Sequence, residues 1–180
     1  CINFLTNQEK DPRLNNITYE LVASILMMAQ NISKEEALKK IDNVLSNGEA
    51  AEKFEKMVAA LGGASNILSS YNTQLQIDAF KKDISIKQSG YVQKIKTRDL
   101  GLALIELGGG RKQVTDKINF NVGYDNVLSV GDKVDVSTPL LTLYCHSDKD
   151  FENVSKRIEG CFLISDEEVS NHSDIYEVIS

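Results

Sequence analysis

The sequence predicts an α+β protein, with helices over residues 1–80 followed by a module of short strands and intervening helices over residues 81–180. Two observations carry this division. Up to about Ala79 the apolar residues recur at i, i+3 and i+4, the spacing of one helix face. Beyond it they fall into short segments broken by glycine and proline, as in ISIKQSGYVQKIK and LLTLYC, the pattern of strands and turns.

The helices follow in order. Thr18 is the expected cap of a first helix whose Leu21, Val22, Ile25, Leu26 and Met28 share one face, and LVASILMMA reads as a buried helix face. Ser33 followed by Glu36 is a capping box, which satisfies two orphan N–H groups at a helix start. That helix turns Ala37, Leu38, Ile41, Val44 and Leu45 inward and ends at Asn47-Gly48. The next places Phe54, Met57, Val58 and Leu61 inward and stops at Gly62-Gly63, where a positive φ costs glycine little. A short turn from Asn66 to Tyr71 closes the helical half.

In the second half Gly90 interrupts two strand segments, and Pro139 opens a third, LLTLYC. TRDLGLALIELGGG suits either helix or strand by propensity. Its length, the capping options at Thr97 and Asp99, and its terminal glycines favour helix. A further helix is expected near Phe151 to Ile158, then strands at Phe162–Ile164 and Tyr176–Ile179.

Composition narrows the function. A chain of 180 residues, 42% hydrophobic and 26% charged, can bury a sizeable core. Its net charge of −6, with basic pairs such as Lys39-Lys40 and Lys81-Lys82 scattered among acids, argues against nucleic acid as a partner. No apolar run approaches the ~18 residues of a membrane helix. Cys1, Cys145 and Cys161 form neither a disulfide framework nor a CxxC metal motif, so a reducing cytoplasm is expected. His146 and His172 read as surface histidines, and the acids of SDKDFE and SDEE fit no calcium-loop spacing. The chain starts at Cys1 rather than Met, and the expectation is a piece of a longer polypeptide.

The candidate site is the run Gly108-Gly109-Gly110-Arg111-Lys112-Gln113. It matches neither GxxxxGK[ST] nor GxGxxG. Phosphate cradles precede a helix, where free N–H groups and the positive dipole end attract anions. Here the glycines follow the expected helix, so local physics favours a C-cap with a flexible hinge. Arg111 and Lys112 could reach an anion bound elsewhere or neutralise the helix terminus.

Two resemblances add to this reading. QSGYVQKIK with LSVGDKVDVSTPLLTLYC resembles the barrel-sandwich fold of biotinyl and lipoyl carrier domains, although no Met-Lys-Met element is present. More specifically, FLTNQEKDPRL, NGEAAEKFEKMVAALGG, GYVQKIKTRDLGLALIELGGGRKQVTDKINFNVGY and GDKVDVSTPLLTLY are similar, in order and spacing, to the thymidine and pyrimidine-nucleoside phosphorylase family. This resemblance covers nearly the whole chain. It implies the C-terminal part of a larger subunit: helices of a large α/β domain, then an α/β-hammerhead module. It further implies a cytoplasmic homodimer that cleaves thymidine with phosphate, phosphate serving as co-substrate with no cofactor; no metal ligand is carried over to this chain, and no membrane partner is expected. The family's phosphate loop, catalytic histidine and base-holding residues have no counterpart here, so no catalytic or substrate-binding residue is carried over. The alternatives are a broader-specificity pyrimidine-nucleoside phosphorylase and a non-enzymatic biotinyl/lipoyl-like binding module. The glycine loop, with Arg111 as its foremost polar contact, is expected to act as a lid or hinge.

Overall fold

The structure, a computed structural model, describes residues 1–170, 175, 177 and 179. The chain separates into two compact units, the first comprising Cys1–Gln76 and the second beginning at Ile77. The expected strand at Tyr176–Ile179 and the expected surface residue His172 lie outside the described residues, in whole or in part.

The first unit is helical: α1 (Ile2–Leu5), α2 (Pro12–Gln30), α3 (Lys34–Ser46), α4 (Glu49–Ala60) and α5 (Ile67–Gln74). The capping box forms as expected, with Ser33 Oγ accepting from the Glu36 N–H while the Glu36 carboxylate accepts from the Ser33 N–H. Its core is small: Ala23 of α2 meets Ala37, Ile41 and Leu45 of α3, with Phe4 of α1 beside them. Polar ties reinforce the α2–α3 packing. Lys34 Nζ lies 2.8 Å from Glu20, and the Tyr19 hydroxyl donates to Asp42 at 2.8 Å. Burial first, then the Asp42 carboxylate, pushes the Tyr19 phenol up to about 12.

Several sequence expectations change here. Helix α2 starts at Pro12 rather than near Thr18, because Asp11 accepts from the Leu14 N–H at 2.7 Å and proline suits the first helical position. The apolar face expected to be buried is largely outward: Leu21 and Ile25 are each 58% exposed and Met28 79%. Met57 and Leu61 of the α4 region are also exposed, leaving Ala51 as that helix's buried residue. Asn66–Tyr71 is the start of helix α5 rather than a turn.

The second unit contains β1 (Phe80–Ser85), β2 (Gly90–Ile95), α6 (Thr97–Glu106), β3 (Gly123–Asp125), β4 (Lys133–Val134), β5 (Pro139–Cys145), α7 (Asp148–Glu159) and β6 (Phe162–Ser165). The strands form two antiparallel three-stranded sheets, ordered β1-β5-β3 and β4-β2-β6. The expected α+β class holds. The sheets are small and separate, so the barrel-sandwich likeness does not extend to a closed barrel.

Strand β5 explains the second core. It is the central strand of its sheet and is covered on both faces, which is why PLLTLYC reads as a continuous apolar run rather than an alternation. Leu140, Leu141, Leu143 and Cys145 are fully buried, and Ile84, Val92 and Ile158 join them from β1, β2 and α7. The one buried polar residue among those described, Thr142, donates its hydroxyl to Asp83 at 2.7 Å. The VGDKV turn is as expected, with Gly131 at φ +93° and Val134 buried. Helix α7 begins earlier than Phe151 because Ser147 Oγ accepts from the Asp150 N–H. Helix α6 forms, but neither Thr97 nor Asp99 caps it; Lys96 takes that position without a side-chain bond.

Candidate functional site

Helix α6 ends in a Schellman motif built by the first two glycines. Gly108 adopts φ +89°, its N–H donates to the Ile105 carbonyl, and the Gly109 N–H donates to the Leu104 carbonyl, both at 3.0 Å. This 6→1 and 5→2 pair satisfies carbonyls that the helix leaves orphaned. The second and third glycines also meet a steric need. A Cβ on Gly109 would sit 2.8 Å from the Leu104 side chain, and one on Gly110 would sit 2.7 Å from that of Ile105. The run therefore closes down tightly on the last turn of α6.

Two polar contacts fix that helix. The Tyr124 hydroxyl of β3 donates to the Leu100 carbonyl at 3.0 Å, and burial pushes this phenol up to about 12. Arg157 of α7 pairs with Glu106 in the last residue of α6, which raises the guanidinium's already high pKa.

The polypeptide then leaves as a loop and returns to its own starting point. The Asn119 N–H donates to the Gly108 carbonyl at 2.8 Å and closes the loop at its base. Within the loop, Asp116 Oδ2 accepts from the N–H groups of Lys112 and Gln113 at 2.9 and 2.8 Å. This bends the tip back without tying down the side chains. Those of Arg111, Lys112 and Gln113 are exposed and make no side-chain hydrogen bond or ion pair among the described residues. Neither cation hydrogen-bonds the last carbonyls of α6 among the described residues; the Gly108 and Gly109 N–H groups do.

A cleft of ≈ 280 Å³ lies against the loop, with Glu106, Lys112, Asp116 and Lys117 on its walls. Its charges are mixed, and its two carboxylates are engaged by Arg157 and by backbone amides. A second cleft of ≈ 390 Å³ is lined by Lys81, Asp83, Asn126 and Thr142 among others, with Asp83 held by the Thr142 hydroxyl. Burial raises the thiol pKa of both Cys145 and Cys161, which disfavours the nucleophilic thiolate. Among the described residues no three His, Cys, Asp or Glu side chains are grouped to hold a metal, and no helix is long and apolar enough to cross a membrane.

Residues 91–165 match the family model of the pyrimidine nucleoside phosphorylase C-terminal domain. This stretch is similar to that domain. It contains α6, the glycine loop, β3 to β5, α7 and β6, so the whole candidate site falls inside the matched stretch. Strand β1 precedes the matched residues yet pairs along its full length with β5, so the folded unit is larger than the matched stretch. Sequence reasoning passed over Asp116 and Asn119. Asp116 caps residues that precede it, against the usual forward direction of such motifs. Asn119 meets its main partner 11 residues back in the chain, where no periodicity marks it.

Proposed function

We propose that this chain is the C-terminal portion of a thymidine phosphorylase, whose complete subunit cleaves thymidine with inorganic phosphate to give thymine and 2-deoxyribose 1-phosphate. The match over residues 91–165 carries the proposal. The narrower choice of thymidine rests on the likeness of GYVQKIKTRDLGLALIELGGGRKQVTDKINFNVGY and its neighbouring motifs to bacterial thymidine phosphorylases. A cytoplasmic homodimer with phosphate as co-substrate and no further cofactor belongs to the same reading.

The loop at 111–117 is the part of this chain suited to assist that chemistry. Phosphorolysis gains from a site that closes and expels water around the separating charges. Three features support a lid: a base closed by the Gly108–Asn119 bond, an exposed Arg111, and Val114 at the tip, 92% exposed. Arg111 would then supply a charge-assisted contact on closure.

The test is phosphorolysis of thymidine and of uridine by this chain alone and by the complete subunit. The expected result is no turnover by the chain alone and preference for thymidine by the complete subunit. Arg111→Ala in that subunit should reduce kcat about tenfold, the loss of one charge-assisted hydrogen bond. Absence of phosphorolysis by the complete subunit would refute the function. Unchanged kinetics in Arg111→Ala, with unchanged stability, would refute only the lid.

A further inference from the structure

We infer that His146 is a positioning residue for the glycine loop and holds it only while its imidazole is neutral. The argument starts at Asn119. Its backbone N–H closes the loop onto Gly108, and its side-chain Oδ1 accepts from the Asn121 N–H at 3.0 Å. The second bond fixes which way the amide points, since exchanging oxygen and nitrogen would set two donors against each other. The Nδ2 group is thereby aimed at His146 Nε2, with which it is in contact. A donor facing a ring nitrogen needs a lone pair there, so Nε2 must be unprotonated.

His146 follows directly on Cys145, the fully buried last residue of the central strand β5. The imidazole thus carries the rigidity of the sheet to the base of the loop. On protonation Nε2 becomes a donor, and the contact turns repulsive. Asn119 can avoid it only by rotating its amide, which gives up the bond from Asn121 beside the loop base. Imidazole is the side chain whose ordinary titration falls between pH 5 and 8. The neutral ring therefore makes the connection and its cation loses it.

Charged residues on the segments meeting here are mostly committed to other partners. Lys81 of β1 lies over the Tyr144 ring, and Lys82 pairs with Asp148. Asp150 accepts from Ser147, and Asp116 caps the loop amides. Asp83 accepts from the Thr142 hydroxyl and Asp125 from the Asn126 N–H, and Asp78, Arg111, Lys112, Lys117, Lys149 and Glu152 are the remaining charged residues on these segments. None of these groups is hydrogen-bonded or paired with the imidazole, so the charge that switches is that of the ring itself.

The experiment reads the loop directly in this chain. Backbone ¹⁵N relaxation of residues 111–119 is measured from pH 5.5 to 8.0, with ring signals reporting His146 itself. The expected result is loss of order across the loop on acidification, with the same midpoint as the His146 ring. His146→Gln, whose amide oxygen accepts from Asn119 at any pH, should keep the loop ordered and abolish the response. His146→Ala should leave the loop mobile at both ends of the range. Loop order that stays constant while His146 titrates would overturn the inference, as would a pH response persisting in His146→Ala. Where the loop is the lid proposed above, this adds its regulation. Because relaxation is read without substrate, failure of the switch and failure of the phosphorylase function remain distinguishable.

Discussion

The two units of this chain handle apolar side chains in opposite ways. In the second, the three leucines of β5 are fully buried, and the sheets and α6 and α7 close over them. In the first, the longest helix turns Leu21, Ile25 and Met28 outward, while its one fully covered residue is an alanine. The module from Ile77 onward therefore owns its core. The helical unit carries more apolar surface than its own neighbours cover, as the sequence resemblance implies for helices laid against a larger domain.

The sharpest way to break this comparison is to truncate one leucine in each unit. Leu141→Ala should cost about 3 kcal/mol, the sum of lost transfer energy and the cavity left in a packed site. Leu21→Ala should change stability by less than about 0.5 kcal/mol, because its side chain is already in water. Urea unfolding measures both, and equal costs would mean that the α2 face is covered after all.

A second pair of substitutions sharpens the same contrast through the backbone. Gly90 adopts φ +151°, and a Cβ there would land on the Ser165 carbonyl and the Ile164 methyl. Gly90→Ala should therefore cost about 2 kcal/mol or more from strain and clash at the β2–β6 pairing. Gly48 precedes α4 at φ +85° with open space around it, so Gly48→Ala should cost about 1 kcal/mol from conformation alone. Thermal denaturation that ranks them in the reverse order would contradict the close packing assigned to the second unit.

The smallest effect lies in a turn of the second unit and depends on pH. The Ser137 hydroxyl, then the Ser137 N–H and the Thr138 hydroxyl, hold the Asp135 carboxyl down to about 2. Donors that favour the ionised form in the folded state contribute stability above the ordinary carboxylate value of 3.8. That contribution is lost as pH falls toward 2. The stability gap between wild type and Asp135→Asn should narrow from pH 6 to pH 2.5, and a gap that stays constant would remove Asp135 from the account.

What could be read in advance followed the range of the interactions involved. The Ser33–Glu36 box and the glycines ending α6 are local, so residue type and spacing announce them. The start of α2 lies at Pro12 rather than at the expected Thr18 although Asp11-Pro12 is a strong local signal, because apolar spacing alone places the boundary at Thr18. The outward face of α2 was beyond any local rule, since amphipathic spacing says which residues share a face and not whether that face is covered. The candidate loop divides the same way. Its glycines stand out in the sequence, whereas Asn119 and His146 lie 27 residues apart and meet only because β5 returns to the end of α6.

The bond between Asn119 and Gly108 has one more consequence, concerning chain length. A loop pinned at its base pays its closure entropy there, and that cost grows only with the logarithm of the residues enclosed. Doubling the tip beyond Gly110 should therefore cost about 0.6 kcal/mol, provided the Asp116 bend is kept or replaced. With Val114 pointing into solvent, the tip is a graft point, where a tag, a dye or a recognition peptide can be carried on a rigid stem.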